Sequence, residues 1–186
     1  MEIYLVRHGK TDWNVMHKIQ GKVDISLNEE GIKQAKEVRD KLKNIKFNKI
    51  YVSPLKRALE TCKVITDDNF VVDKRLCERS FGNLEGTQIT EDCIKKHWDY
   101  KLNSNEGGME TIKELLDRLK KFNNDLLDNE EDDKILIVSH ACSIKSIYFN
   151  LIGYDENTDF LSFYLDNCKV AKITLKNNKI EEFKII

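Results

Sequence analysis

Three short apolar runs constrain the fold of this chain more than any other feature: "IYLVRH" at 3–8, "KIYVSPLKR" at 49–57 and "ILIVSH" at 135–140. Their apolar parts, 3–6, 49–52 and 135–138, are too short for buried helices and rich in strand formers. They read as strands covered on both faces. Each gives way to chemically capable side chains: Arg7 and His8, Ser53 and Arg57, Ser139 and His140. Helical spacing fills the intervals. Asn28 can cap a helix whose apolar positions are Ile32, Ala35, Val38 and Leu42. Ser53-Pro54 reads as a cap with proline at the first helical position, followed by an apolar face of Leu55, Ala58, Leu59, Cys62 and Ile65. Further helices are expected near 90–101, over 111–127 and over 143–151. Strands alternating with helices predict an α/β fold, a three-layer α/β/α domain around a mostly parallel sheet.

The C-terminal part differs. Residues 160–165, 170–175 and 180–185 read as strands, and Asn177-Asn178 suits a two-residue turn between the last two, so antiparallel edge strands are expected. "NEEDD" at 129–133 reads as a solvated turn. No repeat or linker divides the chain. A single domain over 1–186 is expected, with a substrate-shaping excursion at about 86–110 that carries His97, Trp98 and Tyr100. Those three serve equally well as pocket-forming or packing residues.

Gly9-Lys10-Thr11 resembles the end of a nucleotide-binding P-loop. That motif needs a first glycine five residues before the second, and Tyr4 stands there. Its side chain blocks the close backbone approach that makes a phosphate nest.

The net charge of −1 gives no whole-molecule attraction to nucleic acid or anionic lipid, and no basic stripe interleaved with aromatics is present. An anionic substrate must therefore be attracted by a local cluster. Five cysteines, with no C-x-x-C pair, fit reduced thiols in a cytoplasmic protein. The apolar stretch 3–6 is too short for a signal peptide, and no segment approaches the roughly eighteen apolar residues of a membrane span.

In open α/β sheets a ligand site lies beyond the carboxyl ends of the strands. If the three runs are parallel neighbours, two histidines and two arginines converge there. Paired arginines suit phosphate, because the planar guanidinium matches its oxygens bidentately. The amino end of the helix after Ser53-Pro54 would add N–H donors. A neutral imidazole beside that anion site can attack phosphorus and form a phosphohistidine. No third His, Asp or Glu sits at ligand spacing, so no metal or other cofactor is expected.

Five segments carry a family resemblance. "LVRHGKTDWN" resembles L-V-R-H-G-x-T-x-W-N, and "LNEEGIKQA" is similar to L-T-x-x-G-x-x-Q-A. "VSPLKRALET" resembles S-x-L-x-R-A-x-x-T, "RLCERSFGNLEG" resembles L-x-E-x-x-F-G-x-W-E-G, and "ILIVSHACSIK" is similar to a V-S-H-G-G strand end. Together, and in this order, they resemble the histidine phosphatase superfamily (phosphoglycerate mutase-like), its small phosphatase branch.

The resemblance implies that His8 is the phosphorylated nucleophile, that Arg7, Arg57 and His140 complete the phosphate pocket, and that Asn14 adds a contact. It implies Glu78 as general acid, a role that spacing alone does not suggest. The implied activity is metal-independent hydrolysis of a small phosphorylated metabolite. Phosphoglycerate mutase-type transfer and a non-catalytic phospho-ligand-binding module are the alternatives. Ala141-Cys142 replace two glycines of the pattern, Leu84 replaces a tryptophan, and Met109 interrupts a G-G-E-S-like run. Side chains at 141 and 142 are expected to narrow the pocket. Cys142 reads as a small packing thiol.

Overall fold

The computed structural model of the chain describes residues 1–129 and 133–186. Six strands form one sheet: β1 (Glu2–Arg7), β2 (Lys49–Val52), β3 (Val71–Val72), β4 (Lys134–Ser139), β5 (Val170–Lys176) and β6 (Lys179–Ile185). Their spatial order is β3-β2-β4-β1-β5-β6. The first four in that order run parallel, and β5 and β6 add an antiparallel edge. The expected mixed sheet is therefore present.

Register brings the three polar strand ends together. Arg7 lies beside Ser139, and Val52 beside Val138. The ladder continues one step beyond the strands: His8 N–H donates to Ser139 O at 2.9 Å and Ser53 N–H to Val138 O at 3.1 Å. His8, Ser53 and His140 thus leave one edge at nearly one level.

The strands alternate between two cores. Ile3, Leu5, Ile135 and Ile137 face α5 (Ile112–Asn129) and α6 (Ala141–Ile152); Tyr4, Val6, Val52, Leu136 and Val138 face α2 (Glu29–Leu42) and α3 (Lys56–Ile65). Burying each such side chain fully stabilises the fold by about 1.5–3 kcal/mol. Two-sided burial explains why these runs are continuously apolar rather than alternating. Two shorter helices, α1 (Asp12–Val15) and α4 (Glu91–His97), lie in the connections. Among the described residues no helix is long and apolar enough to cross a membrane.

Several local expectations hold. The Asn28 side chain accepts from Gly31 N–H and caps α2. Asn177 and Asn178, with φ of 51° and 58°, make the hairpin turn, as a two-residue loop of that hand requires. Others are corrected. Residues 160–165 are not a strand; they form a loop that buries Phe160, Phe163 and Leu165. Spaced burial there comes from a loop packing onto the core, which mimics strand alternation. Ser53 does not cap α3, because its hydroxyl is held by His140; Leu55 occupies the cap position with no side-chain bond. The helix near 90–101 stops at His97, and the one expected from Ser143 starts at Ala141. The turn expected at 129–133 falls largely on 130–132, outside the described residues.

Candidate active site

The backbone leaving β1 passes close under α2. A Cβ added to Gly9 would lie 2.5 Å from Gly31 O, and one added to Gly31 would lie 2.1 Å from Lys10 O. Both glycines are therefore needed for this approach, which fixes the turn carrying His8. Gly9 N–H donates to Thr61 Oγ1 at 3.0 Å, and Asn167 Nδ2 donates to His8 O at 2.9 Å. The imidazole thus stands on a backbone held from α3 and from the segment preceding β5.

The tautomer of His8 follows from its partner. Nδ1 lies 2.7 Å from Gly9 O. A carbonyl only accepts, so Nδ1 carries the proton and Nε2 keeps a lone pair. Arg57 Nε–H points at that lone pair from 3.3 Å. Burial, then the charges of Arg57 and Arg7, hold the His8 pKa well below the ordinary imidazole value. His8 is consequently neutral at neutral pH.

Arg57 is completely buried and held by its own loop: Nη1 donates to Val23 O at 2.8 Å and Nη2 to Gly21 O at 2.7 Å. The first-turn N–H of Lys56 is taken by Asp24 at 2.7 Å. The donor expected from the amino end of α3 is therefore already used to hold the 20–24 loop. Arg7 Nη1 donates to Tyr164 Oη and, at 3.0 Å, to Leu165 O. Among the described residues its Nε is buried without a partner, a donor left for a ligand.

His140 packs beside His8, ring centroids 5.1 Å apart. Its Nε2 lies 2.7 Å from Ser53 Oγ, and among the described residues its Nδ1 is buried without a partner. Burial and the neighbouring positive groups also hold its pKa well down. Glu78 Oε1 accepts from Arg79 N–H at 2.9 Å and Oε2 from Cys142 N–H at 3.3 Å. Asn14 Oδ1 accepts from the Thr11 N–H and hydroxyl, both at 3.1 Å. This closes the cap of α1 and turns the oxygen away from the pocket.

A cavity of about 540 Å³ opens here, and Arg7, His8, Asn14, Arg57 and Glu78 all line it. His140 does not; it packs beside His8. Ala141 and Cys142 also line the cavity, in keeping with narrowing at these two positions. Burial drives the Cys142 thiol pKa far up, so it stays protonated. His97 and Trp98 contribute to the far wall, whereas Tyr100 packs against Phe160 and Tyr154. Glu110 pairs with Arg118 and Thr111 with Glu114, and none of these four lines the cavity.

Sequence reasoning missed Tyr164, Asn167, Arg79 and Lys145. Tyr164 sat in a falsely assigned strand, and Asn167 acts only through a tertiary contact. Arg79 is completely buried and donates to Glu110 O at 2.7 Å and His97 O at 2.6 Å. Lys145 had a visible signal: a lone charge inside the apolar segment "SIKSIYF".

Among the described residues no group of three His, Cys, Asp or Glu side chains could hold a metal ion. The cavity gathers guanidinium groups, a neutral imidazole with an unprotonated Nε2 and one carboxyl group, a set suited to phosphate chemistry.

Residues 3–184 match the family model described as the histidine phosphatase superfamily (branch 1). The phosphatase PhoE of Bacillus subtilis, named as uncharacterized, is 34% identical over 91% of this chain and 89% of its own. Phosphoglycerate mutase-like protein 4 of Arabidopsis thaliana is 35% identical over 79% of this chain and 69% of its own. A crystal structure of a phosphoserine phosphatase mutant from Entamoeba histolytica, in complex with phosphoserine, superposes with a TM-score of 0.84. It is 29% identical and covers 98% of this chain and 95% of that one.

Proposed function

Because the chain belongs to the histidine phosphatase superfamily (branch 1), we propose that it hydrolyses a small phosphomonoester through a phosphohistidine on His8. The observation that carries this reading is the fixed tautomer of His8, whose Nε2 lone pair meets the Arg57 Nε–H at 3.3 Å. A phosphoryl group entering between them has a nucleophile on one side and a charged donor on the other. The phosphatase names among its relatives, and the similar structure holding phosphoserine, support a small phosphomonoester as the ligand.

The steps follow from the residues. Arg7 and Arg57 bind the phosphoryl oxygens and stabilise the charge that spreads over them in the transition state. The unpartnered Nε of Arg7 supplies a further contact, and Asn14 offers its amide N–H. His8 Nε2 attacks phosphorus as the ester P–O bond breaks. Glu78, protonated, gives its proton to the departing alkoxide. A water then attacks the phosphohistidine and yields its proton to Glu78. The Nε2–P bond breaks and inorganic phosphate leaves.

In Glu78→Gln, kcat/KM for an alkyl phosphate falls about 10³-fold, whereas that for a nitrophenyl phosphate falls about 10-fold, since a good leaving group needs little protonation. Equal losses on both substrates would remove Glu78 from the acid role.

The second reading is phosphoglycerate mutase-type transfer, which shares the first half-reaction and which the name of the Arabidopsis relative favours. One assay separates them. With 3-phosphoglycerate and a trace of bisphosphoglycerate, hydrolysis releases phosphate and transfer yields 2-phosphoglycerate. Phosphate release is expected, and excess EDTA leaves its rate unchanged, because guanidinium groups carry the charge that a metal would otherwise supply. Dominant 2-phosphoglycerate formation would reverse the choice. Phosphate binding with no turnover and no phosphoenzyme would leave a binding module.

A further inference from the structure

Lys145 lies on α6, five residues after His140, among Ile144, Ile147 and Phe149. It is only 5% exposed. Among the described residues its Nζ makes no hydrogen bond and no ion pair. Its one polar-aromatic contact is the Trp98 ring, 4.3 Å away. The side chain lines the cavity at the Cys142–Trp98 wall. A buried ammonium with no hydrogen-bonded or ion-paired partner is costly, and structures keep one only where something offsets it.

The charge count around the cavity points the same way. Among the described residues the charged side chains that line it are Arg7, Lys18, Arg57 and Lys145 against one carboxyl group, Glu78. With Glu78 protonated for its acid role, a phosphomonoester dianion still leaves positive charge to be matched. The lining also includes the apolar side chains of Ile94, Leu161 and Phe81.

We infer that Lys145 is a specificity-determining residue: it pairs with a carboxylate on the leaving-group side, so the preferred substrate class is a phosphomonoester that also carries one carboxylate. The inference rests on the phosphoryl end binding at His8 and the arginines, as proposed above. A lysine suits this task because it offers a compact point charge to a single anionic group. Burial lowers its pKa to about 8, so it remains mostly protonated at neutral pH.

The test uses 3-phosphonooxypropanoate and its uncharged carboxamide. With the full-length protein, kcat/KM favours the carboxylate at least 30-fold, chiefly through KM. In Lys145→Met, which keeps the length and apolar stem, that ratio collapses to about one. In Lys18→Met, which removes the half-exposed cation at the cavity rim, it persists. Calorimetric affinities for the same pair, measured on His8→Ala and on His8→Ala with Lys145→Met, read the preference without turnover. A failure of the hydrolysis reading therefore leaves this measurement standing. A preference that survives Lys145→Met overturns the inference. So does a wild type indifferent to the carboxylate.

Discussion

Replacing His8 with alanine lowers kcat/KM toward an aryl phosphate by about 10⁵-fold, the scale set by losing a covalent nucleophile. The reason lies in what the imidazole alone provides. Its Nδ1–H is committed to Gly9 O and its Nε2 is the one unprotonated nitrogen directed at the space beside Arg57. No neighbour can take over: His140 has no surface on the cavity, and the Cys142 thiol stays protonated. Rapid acid-free quenching of wild type during turnover should trap a phosphoprotein whose P–N bond is acid-labile. The variant should yield none. Turnover equal to wild type in His8→Ala would end the phosphohistidine reading.

The same substitution has a separate signature in stability. His8 in the folded protein has a pKa far below its unfolded value of about 6.5. As pH falls through that unfolded value, the unfolded chain gains a proton that the folded chain refuses. Stability is therefore lost on acidification and fully present above about pH 7. His8→Ala removes this contribution. Its melting temperature declines less steeply than that of wild type between pH 7 and 5.5. His140, held down in the same way, leaves part of the slope in place. A variant that is inactive yet less acid-sensitive is folded, which assigns the activity loss to chemistry.

The sheet was legible because burial on both faces writes itself as uninterrupted apolar runs, and because a strand that ends at a site must change abruptly to polar residues. Arg7-His8 and Ser139-His140 are both such changes. Register then placed these ends side by side, so the convergence was readable from strand order alone. What stayed hidden depends on contacts distant in sequence. Phe160, Phe163 and Leu165 are buried from a loop, and their spacing is indistinguishable from that of a strand. Ser53 sits where a helix cap belongs, but its hydroxyl serves His140, 87 residues away. Asn167 and Tyr164 reach back to His8 and Arg7 across most of the chain. Glu78 is anchored by two backbone N–H groups that no local pattern announces. It was named only through the family resemblance.

Arg57→Lys is expected to lower kcat/KM about 10³-fold although the charge is kept, because the fork does more than carry charge. The guanidinium makes three directed bonds from one plane: to Val23 O, to Gly21 O and to His8 Nε2. An ammonium on a flexible stem cannot reproduce that geometry. If it follows the carbonyls it leaves the phosphoryl site, and if it stays at the site two buried carbonyls lose their donor. Each loss of a buried partner costs about 1–3 kcal/mol. The 20–24 loop, tied also through Asp24 to Lys56 N–H, should then show faster amide exchange at Gly21 through Asp24. Affinity for inorganic phosphate, which responds mainly to charge, should fall far less than kcat. The contrast between the two readouts separates positioning from attraction. Arg57→Lys with wild-type kcat, or with phosphate affinity and kcat reduced in equal proportion, would show that the guanidinium acts here only as a positive charge.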